Sequence, residues 1–474
     1  MKDTNLHSLA SISLDKIVKN EYREYQIYTL MDRAIPYLAD GLKPVQRRIL
    51  FTLWKNANKG LMKVSSATGL VLTLHPHGPA SIESSIVNLA QDFTFSNNYP
   101  MIDKKGYFGE RMETMAAASR YIECKIGKVA ELILFDDMNQ VQMVPNYDEK
   151  VMEPAHLLPK LPIMLLNGAE GIGTGFSSVI PSFNHKEIIE SMINYVQKGK
   201  PKKIHPYVRY YTQDIVHDEK GRYTFKMKFE EKDGKIFITE LPRGYDAQKI
   251  YKYMTKFMDN DFIKDFIDSS VDNEIKIELI FKRGLQPSMQ EVEEKMGTFS
   301  AITPNYTLIS ERGVKILEKA EEIIEIFTEA RIQVVKTRYE LLVKEYEERL
   351  TKNNEIIRFI KEKHYAQAEK SENRKTFVEY LKKQKFVYSE YLVDMAIYRM
   401  TKEEVAKRTL MIKDDSAELK EFKRIAKSMD LIKGKLIEEL NDVKVKLSEI
   451  MDQKDREKKK VMSKIEKENK KTNK

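Results

Sequence analysis

Proline and glycine are distributed unevenly along this 474-residue chain. All 15 prolines lie at or before Pro304, and only Gly313 and Gly434 among the 19 glycines follow that residue. Proline interrupts a helix and glycine weakens one. Residues 305–474 are therefore predicted to form long helices, whereas the earlier residues are predicted to form shorter elements joined by loops.

The helical part carries apolar residues in alternating steps of four and three, which is the spacing of a coiled-coil seam. The first seam comprises Ile316, Ala320, Ile323, Phe327, Ala330 and Val334. The second seam, with one irregular step, comprises Phe422, Ile425, Met429, Ile432, Leu436, Leu440, Val443, Leu447 and Ile450. We expect a long antiparallel coiled coil over 311–450, with a helical globule at about 374–410 between its two arms.

The stretch from 201 to 281 has the period of two that is typical of strands. Three apolar residues alternate with lysines at 225–229, and the Asp-Gly pair at 233–234 is a typical hairpin turn. Residues 246–258 carry apolar side chains at helical spacing instead. We therefore expect a module of helix and strand here, within a domain spanning 166–310.

Short helices broken by loops are predicted for residues 1–165. Pro44 suits the first position of a helix over 44–56, in which Ile49 faces inward while Arg47 and Arg48 remain available outside. Short helices with a basic flank are typical of helix-turn-helix domains. The whole chain is thus predicted to be a multidomain α+β protein.

The formal net charge of +9 is concentrated at the end of the chain. Residues 451–474 hold ten Lys and Arg against five Asp and Glu, which is +5 of that total. We expect this stretch to be a basic, disordered tail that adds weak, salt-sensitive attraction to nucleic acid.

The only cysteine, Cys124, excludes an intrachain disulfide and a cysteine-rich metal site, as is typical of a reducing cytosol. No apolar stretch approaches the roughly 18 residues of a membrane-spanning helix. Residues 1–14 also lack the apolar core of a signal peptide. These features predict a cytoplasmic protein that does not enter a membrane.

Tyr121 lies beside Arg120, after a run of small residues at 116–119 that would let another molecule approach closely. A phenol is a poor nucleophile at its free pKa of about 10, but it forms a stable phosphodiester when a neighbour or a metal activates it. A guanidinium can stabilise the charge on a pentacovalent phosphate. On these residues alone, a packed and unreactive tyrosine is the simpler interpretation.

Two further segments carry residues suited to phosphate contacts. His75 and His77 lie in a tight His-Pro-His-Gly loop without nearby carboxylates that would favour a metal. Lys43, Arg47 and Arg48 lie at the entry to a helix, where backbone N–H groups also attract anions. A solvated, charged surface is the alternative interpretation of these cations.

The glycine-rich stretch at 167–175 could be taken for a nucleotide-binding loop. It lacks the Gly-Lys-Ser/Thr ending of a phosphate-binding loop. Ile172, which has a glycine on each side, is instead suited to wedge between base pairs, as apolar side chains do in proteins that bend DNA.

Together these segments resemble the breakage-reunion subunit of type IIA DNA topoisomerases, and within that family the medium subunits of T-even-type phage enzymes. Four motifs carry the resemblance in the family's order, namely Arg33-Ala34-Ile35-Pro36 with 40–48, then 75–78, 116–123 and 165–181. The resemblance is dense over 21–185, and after that it concerns mainly the layout of the chain.

The resemblance implies a winged-helix breakage-reunion domain over 1–165, a tower domain over 166–310, and a coiled coil with a dimer gate over 311–450. It identifies Tyr121 as the nucleophile that keeps the 5′ end of DNA as a phosphotyrosyl ester, and Arg120 as the arginine that stabilises the transition state. It assigns contacts with DNA to Arg33, Lys43, Arg47, Arg48, His75, His77 and Ile172, the last as an intercalating wedge.

The resemblance also implies an ATP-dependent homodimer that relaxes or decatenates double-stranded DNA. The sequence shows neither an ATP-binding module nor the glutamate and Asp-x-Asp set with which the family binds Mg²⁺. We therefore expect no metal site in this chain and expect partner ATPase and TOPRIM subunits to hold ATP and Mg²⁺.

Some residues depart from the bacterial pattern. Ala80 and Ser84 lie where bacterial relatives carry the serine and the acidic residue that anchor quinolones, so we expect weak quinolone sensitivity. Pro79 and Gln46 replace a common aspartate and a common histidine.

Two other functions are compatible with parts of the sequence. The first is a non-catalytic, DNA-binding coiled-coil protein that organises chromosomes, in which Tyr121 is merely packed. The second is a tyrosine recombinase, but that family places its nucleophile near the C-terminus.

Overall fold

The computed structural model describes residues 22–472. These residues form two compact units, one comprising the chain up to Ala330 together with the chain from Glu439, and the other comprising Arg331–Glu438. Helix accounts for 51% and strand for 16% of the residues. This composition confirms a multidomain protein of mixed helix and strand.

The longest helices all lie after residue 300, as predicted, although the strands Tyr306–Ser310 and Gly313–Leu317 and two short helices also lie there. Those before residue 300 are Arg23–Thr29, which continues as the π-helical turn Leu30–Ala34, then Pro44–Lys55, Val64–Val71, Pro79–Ala90, Lys128–Leu134, Ile163–Leu166, His185–Lys198, Ala247–Asp259 and Met289–Met296. Those after residue 300 are Ala320–Lys361, Arg374–Lys383, Ser389–Val393, Lys402–Ala426 and Met429–Thr472.

The strands form small antiparallel sheets. The first three-stranded sheet has the order Met62–Lys63, Glu123–Ile126, Ile102–Lys105. The four-stranded sheet has the order Lys228–Lys232, Lys235–Glu240, Ile277–Phe281, Ile263–Asp268. The second three-stranded sheet has the order Phe299–Ile302, Tyr223–Lys226, Val216–His217. The two-stranded pairs are Tyr306–Ser310 with Gly313–Leu317, Met143–Pro145 with Met152–Pro154, and Ala169–Ile172 with Ser177–Ile180.

Three short helices alternate in sequence with the strands of the first three-stranded sheet, since the strand Met62–Lys63 lies between the first helix and the other two. The helix Pro44–Lys55 begins at its proline, as predicted, and buries Ile49 and Leu53 completely. Pro79 likewise opens the helix that ends at Ala90. The outer strand Ile102–Lys105 and the central strand Glu123–Ile126 pair in register, so the connection between them, 106–122, projects from one end of the sheet.

The four-stranded sheet contains the predicted Asp-Gly hairpin. Asp233 and Gly234 have φ of +54° and +71°, which matches the turn that suits the twist of two antiparallel strands. The neighbouring helix Ala247–Asp259 is capped by Asp246, whose carboxylate accepts the Lys249 backbone N–H. The helix buries Ile250 and Met254 in a core cluster that includes the sheet residues Ile238 and Ile277.

The first predicted seam is partly wrong. Ile316 lies in the strand Gly313–Leu317 with 65% of its surface exposed, because the helix begins only at Ala320. Within the helix, Ala320, Ile323 and Phe327 are buried as expected, but Ala330 is exposed while Val335 is fully buried. A straight helix with 3.6 residues per turn drifts against a 3.5-residue repeat, so the buried stripe moves away from the predicted positions.

The second seam agrees better with the structure. Ile425, Ile432, Leu436, Leu440, Val443 and Leu447 are all buried. The irregular step, from Leu436 to Leu440, lies within the helix Met429–Thr472. The break between two helices at Ala426 and Met429 falls instead in the regular part of the seam, and the Met429 side chain is exposed. Around Phe377, Leu381, Phe386 and Leu392, a separate core cluster occupies the region predicted to form a globule.

The expectation of a disordered tail over 451–474 is wrong for residues 451–472, which continue the helix that begins at Met429. The physical reason is that several of its charges are paired rather than solvated. The ammonium of Lys454 lies 2.6 Å from the carboxylate of Asp103, and that of Lys458 lies 2.9 Å from Asp272. The carboxylate of Asp455 accepts a hydrogen bond from buried Arg209.

Among residues 22–472, no helix is both long and apolar enough to cross a membrane.

Candidate functional site

Tyr121 lies near the end of the connection 106–122, with 65% of its surface exposed. Backbone hydrogen bonds hold this end of the connection, because Tyr121 N–H donates to Ala118 O at 2.9 Å and Val64 N–H donates to Ile122 O at 3.0 Å. Gly106 has φ of +100°, where a side chain would be strained. The phenol is therefore displayed to solvent on a backbone that is fixed at both ends, which is what a nucleophile for a large substrate requires.

Cations surround this tyrosine. The Arg120 guanidinium carbon lies 4.7 Å from the centroid of the Tyr121 ring, and the Lys63 ammonium lies 3.4 Å from the Tyr121 backbone oxygen. Lys63 and Lys105 also pair with the carboxylate of Glu123. An anionic group that approached the phenol would therefore meet positive charge.

His75 is buried and neutral. Arg48 Nη1 donates to His75 Nδ1 at 3.1 Å, and the same guanidinium makes two hydrogen bonds to the buried carboxylate of Glu153 at 2.7 and 2.8 Å. Burial and the charge of Arg48 lower the pKa of His75 to about 4. His75 can therefore offer a neutral N–H, but not a positive charge, at neutral pH.

His77 lies closer to solvent, and its ring centroid is 4.9 Å from that of His75. Arg33 Nη2 donates to the His77 ring at 3.2 Å, and the Tyr28 hydroxyl lies 3.1 Å from His77 Nε2. Partial burial and the Arg33 charge lower the pKa of His77. Arg33 itself is exposed, so it remains able to bind an anion.

The expectation that Arg47 is available at the surface is wrong. Its side chain is buried, and its guanidinium donates to both oxygens of the fully buried Asp40 at 2.6 and 3.1 Å. Asp40 also accepts the backbone N–H groups of Leu42 and Leu157. The Arg47–Asp40 pair thus fixes the turn that leads into the helix Pro44–Lys55, and Arg48 is likewise half-buried against Glu153.

Ile172 ends the first strand of the hairpin Ala169–Ile172 with Ser177–Ile180, and 90% of its surface is exposed. Two glycines let the hairpin lie close to the π-helical turn. A Cβ on Gly171 would lie 1.9 Å from Ala34 O, and one on Gly173 would lie 2.4 Å from a Leu30 methyl group. An isoleucine this exposed costs hydrophobic free energy in isolation, which points to a function in contact with another molecule.

Lys43 connects this hairpin to the helix Pro44–Lys55. Its ammonium donates to the Glu170 backbone oxygen at 2.7 Å. Burial lowers the pKa of Lys43, and the nearby Glu170 carboxylate partly opposes that shift. Lys43 therefore both holds the hairpin and contributes charge beside it.

The structure brings five of the predicted residues together. One groove of about 450 Å³ is lined by Arg33, Lys43 and Ile172, and a second groove of about 430 Å³ is lined by Arg33, His75 and His77. Arg33 is common to both grooves, so they adjoin. Tyr121 and Arg120 do not line either groove and form a separate exposed site on the same unit.

The described residues do not fit a bound Mg²⁺ ion. Between residues 22 and 472, no group of three or more His, Cys, Asp or Glu side chains could hold a metal. Glu123, the carboxylate nearest in sequence to Tyr121, has one oxygen on Lys63 and the other on Lys105.

Sequence reasoning missed three residues of the site. Glu153 neutralises Arg48, Tyr28 contacts His77, and Arg243 donates to the carboxylate of Glu170. The separations in sequence are 105, 49 and 73 residues, so no local pattern could have signalled these pairs.

Comparison with known proteins places this geometry in a family. A family model that describes the A subunit of DNA gyrase/topoisomerase IV matches residues 33–441. The mitochondrial DNA topoisomerase 2 of Dictyostelium discoideum is 31% identical over 370 residues, covering 75% of this chain and 28% of that protein. The A subunit of DNA topoisomerase 4 from Staphylococcus aureus (strain NCTC 8325 / PS 47) is 26% identical over 480 residues, covering 92% of this chain and 59% of that protein. The chain thus spans less than two thirds of either relative.

A solved structure gives the same result. The crystal structure of the Plasmodium falciparum topoisomerase II DNA-binding, cleavage and re-ligation domain has a TM-score of 0.80 with this chain at 25% identity, covering 93% of this chain and 65% of that one. Since the family model also spans most of the sequence, the chain belongs to the family of the DNA gyrase/topoisomerase IV A subunits.

Proposed function

We propose that this chain is the DNA-cleavage and religation subunit of an ATP-dependent type II DNA topoisomerase. The observation that carries the proposal is the exposed Tyr121 phenol with the Arg120 guanidinium 4.7 Å from its ring, on a backbone held by strand and helix. The names of the relatives support DNA as the substrate, since one is a DNA topoisomerase 2 and another belongs to a DNA topoisomerase 4.

The proposed reaction is a reversible transesterification. The Tyr121 Oη attacks a backbone phosphorus, a bond forms between that oxygen and phosphorus, and the bond from phosphorus to the 3′ oxygen breaks. The phenol proton leaves to solvent or a base, and the 3′ oxygen takes up a proton as a free hydroxyl. Arg120 stabilises the additional negative charge on the phosphate oxygens. Religation is the reverse step and needs no new energy source, because the phosphotyrosyl ester retains the phosphodiester energy.

We assign the two adjoining grooves to the bound duplex. Arg33 and Lys43 supply charge for phosphates, while His75 and His77 supply neutral ring groups. Ile172 inserts between base pairs and bends the duplex. Arg47 and Arg48 act here as positioning residues, because their guanidinium groups are already engaged by Asp40 and Glu153.

The proposed domain division follows the same assignment. The described part of 1–165, which begins at residue 22, forms a winged-helix domain, since three helices and a three-stranded sheet display Tyr121 on the connection 106–122. Residues 166–310 form a tower domain. Residues 311–450 form an antiparallel coiled coil and a dimer gate, as the buried second seam and the separate core cluster support. Two copies of the chain would supply one tyrosine for each strand of the duplex.

We further propose that partner subunits bind ATP and Mg²⁺ through ATPase and TOPRIM domains, and that the complex acts in the cytoplasm. The relative from Staphylococcus aureus is named as one subunit of its enzyme, which supports an assembly of this kind. Mg²⁺ would supply Lewis-acid charge at the scissile phosphate. This chain would supply the nucleophile, the transition-state arginine and the surface that bends the duplex.

Covalent trapping tests the proposal. The chain is mixed with its ATPase and TOPRIM partners, Mg²⁺ and a duplex labelled at its 3′ ends, and the reaction is quenched with detergent and the strands are separated. Wild-type protein should become linked to the label, Tyr121→Phe should not, and Tyr107→Phe should behave like wild type. Tyr107 is a matched control because it is an exposed tyrosine on the same connection.

The outcomes separate the proposal from its rivals. A Tyr121→Phe chain that still forms protein-linked 5′ ends would refute the assignment of the nucleophile. A wild-type complex that binds DNA but never becomes linked to it would favour the non-catalytic, chromosome-organising alternative.

A further inference from the structure

The carboxylate of Glu170 lies on the same side of the hairpin as Ile172. Residues two apart on a strand point to the same face, and both residues belong to the strand Ala169–Ile172. Both side chains are exposed. A face that receives a duplex therefore carries a negative charge next to its wedge, where it would repel phosphates.

Arg243 neutralises that charge. Its guanidinium donates to the Glu170 carboxylate, whereas Lys43 reaches only the backbone oxygen of the same residue. The two cations thus hold Glu170 at its side chain and at its main chain. Three contacts therefore hold the hairpin, namely those of Arg243 and Lys43 with Glu170 and the close approach of Gly171 to Ala34.

The loop that carries Arg243 is itself held in place. The buried guanidinium of Arg111 donates to the backbone oxygens of Leu241, Pro242 and Tyr245. Arg111 belongs to the connection 106–122, which also carries Tyr121. Arg243 is therefore presented by a loop tied to the segment that displays the nucleophile.

We propose that Arg243 is a positioning residue for bending the DNA: it neutralises Glu170 and holds the hairpin so that Ile172 meets the duplex. This inference rests on the proposed function. Without Arg243, the Glu170 carboxylate would face phosphates unpaired, and the hairpin would lose its side-chain clamp.

DNA bending in a background that cannot cleave provides the test. Full-length chains carrying Tyr121→Phe are assembled with their partner subunits and bound to a short duplex that has a fluorophore at each end. Bending is measured as energy transfer between the fluorophores, and affinity is measured by titration. Arg243→Ala should weaken binding by about threefold to tenfold and reduce the energy transfer at saturation.

A second substitution separates neutralisation from simple loss of structure. Adding Glu170→Gln to Arg243→Ala removes the unpaired charge, so affinity should recover to within about twofold of the starting protein. Arg222→Ala is the matched control, because Arg222 also pairs with a carboxylate, that of Asp218, between two strands of a different sheet. Its binding and bending should be unchanged.

Each outcome decides the inference. Unchanged bending and affinity in Arg243→Ala would overturn it, and so would a double variant that is no better than Arg243→Ala. Suppose that the Tyr121→Phe protein bends DNA and Arg243→Ala reduces the bending, but wild-type protein never cleaves DNA. The proposed function then fails, while the positioning role of Arg243 stands. If wild-type protein cleaves DNA and Arg243→Ala bends it normally, only this inference fails.

Discussion

The role proposed for Arg120 is stabilisation of the transition state rather than binding of DNA. A group that acts on charge appearing only in the transition state changes the rate of the chemical step more than the affinity for the ground state. The position of the guanidinium beside the exposed phenol suits that role.

We expect Arg120→Ala to lower the single-turnover rate of covalent complex formation by about 10²–10³-fold. The dissociation constant for DNA should change by less than about threefold. Quenched-flow cleavage and fluorescence anisotropy measure the two quantities on the same duplex. If rate and affinity fell by the same factor, Arg120 would be an ordinary phosphate contact.

The burial of His185 leads to a prediction of how the free energy of unfolding depends on pH. Its ring lies buried between the Tyr99 hydroxyl, 2.9 Å from Nδ1, and the Ser448 hydroxyl, 3.0 Å from Nε2. Burial, together with the charges of Lys186 and Lys444, lowers the pKa of His185 to about 4, although Asp452 opposes the shift. An unfolded histidine takes up a proton near pH 6.5, so between about pH 6.5 and 4 the unfolded state binds more protons and stability falls as the pH falls.

Between pH 7 and pH 5, the wild-type chain should therefore lose about 1–2 kcal/mol more unfolding free energy than His185→Gln, which cannot titrate. Urea unfolding followed by the fluorescence of Trp54, which stacks on Phe135 in the same unit, reports this difference. His75 titrates in the same direction and is present in both proteins, so its contribution cancels. Equal losses in the two proteins would show that His185 is not held in its neutral form.

Residue types and local spacing predicted which side chains belong to the candidate site, but not which of them are exposed to solvent. The exposure of Ile172 could be predicted, because an apolar residue between glycines has little to pack against. The burial of Arg47 could not be predicted in the same way. It depends on Asp40 also accepting the N–H of Leu157, which is 117 residues away.

At the scale of elements, the hairpin that carries Ile172 depends on small residues rather than on its own two strands. A two-stranded hairpin is marginally stable alone. Here it lies against the π-helical turn, and Val179 pairs with Asn305 on its other edge. Its position therefore follows from contacts outside it.

Gly171→Ala should displace the hairpin and cost about 1–3 kcal/mol, because the new methyl group would meet Ala34 O at 1.9 Å. Gly69→Ala is the contrasting variant, since Gly69 lies exposed in the helix Val64–Val71 with nothing near its Cβ position. It should stabilise the protein by about 0.5–1 kcal/mol. Thermal unfolding measures both changes, and a Gly171→Ala protein as stable as wild type would contradict the close approach.

The last helix shows what sequence could not reveal about elements. Its basic composition over 451–472 is that of a solvated tail, yet Lys454 and Lys458 find carboxylates at Asp103 and Asp272. Both partners lie far from these lysines in sequence, Asp103 by 351 residues from Lys454. By contrast, the boundaries at Pro44, Pro79 and the Asp233-Gly234 turn were predictable, because each is set by the backbone of one or two residues.

At the scale of the whole molecule, the order of the four motifs along the chain carried most of the information about the family. The match to the family runs through both units, from residue 33 to 441. The mixed fold could be predicted from the proline distribution and the change of period. The exact path of the buried helical stripe could not, because it depends on how a straight helix meets its neighbours.

In the proposed function, two Tyr121 residues of a dimer open both strands of one duplex so that another duplex can pass. The most direct measurement starts from a single circular DNA topoisomer of known linking number, to which the chain, its partner subunits, ATP and Mg²⁺ are added. We expect products that differ from the starting linking number by multiples of two, and no products with Tyr121→Phe. Products separated by steps of one would contradict the proposed function.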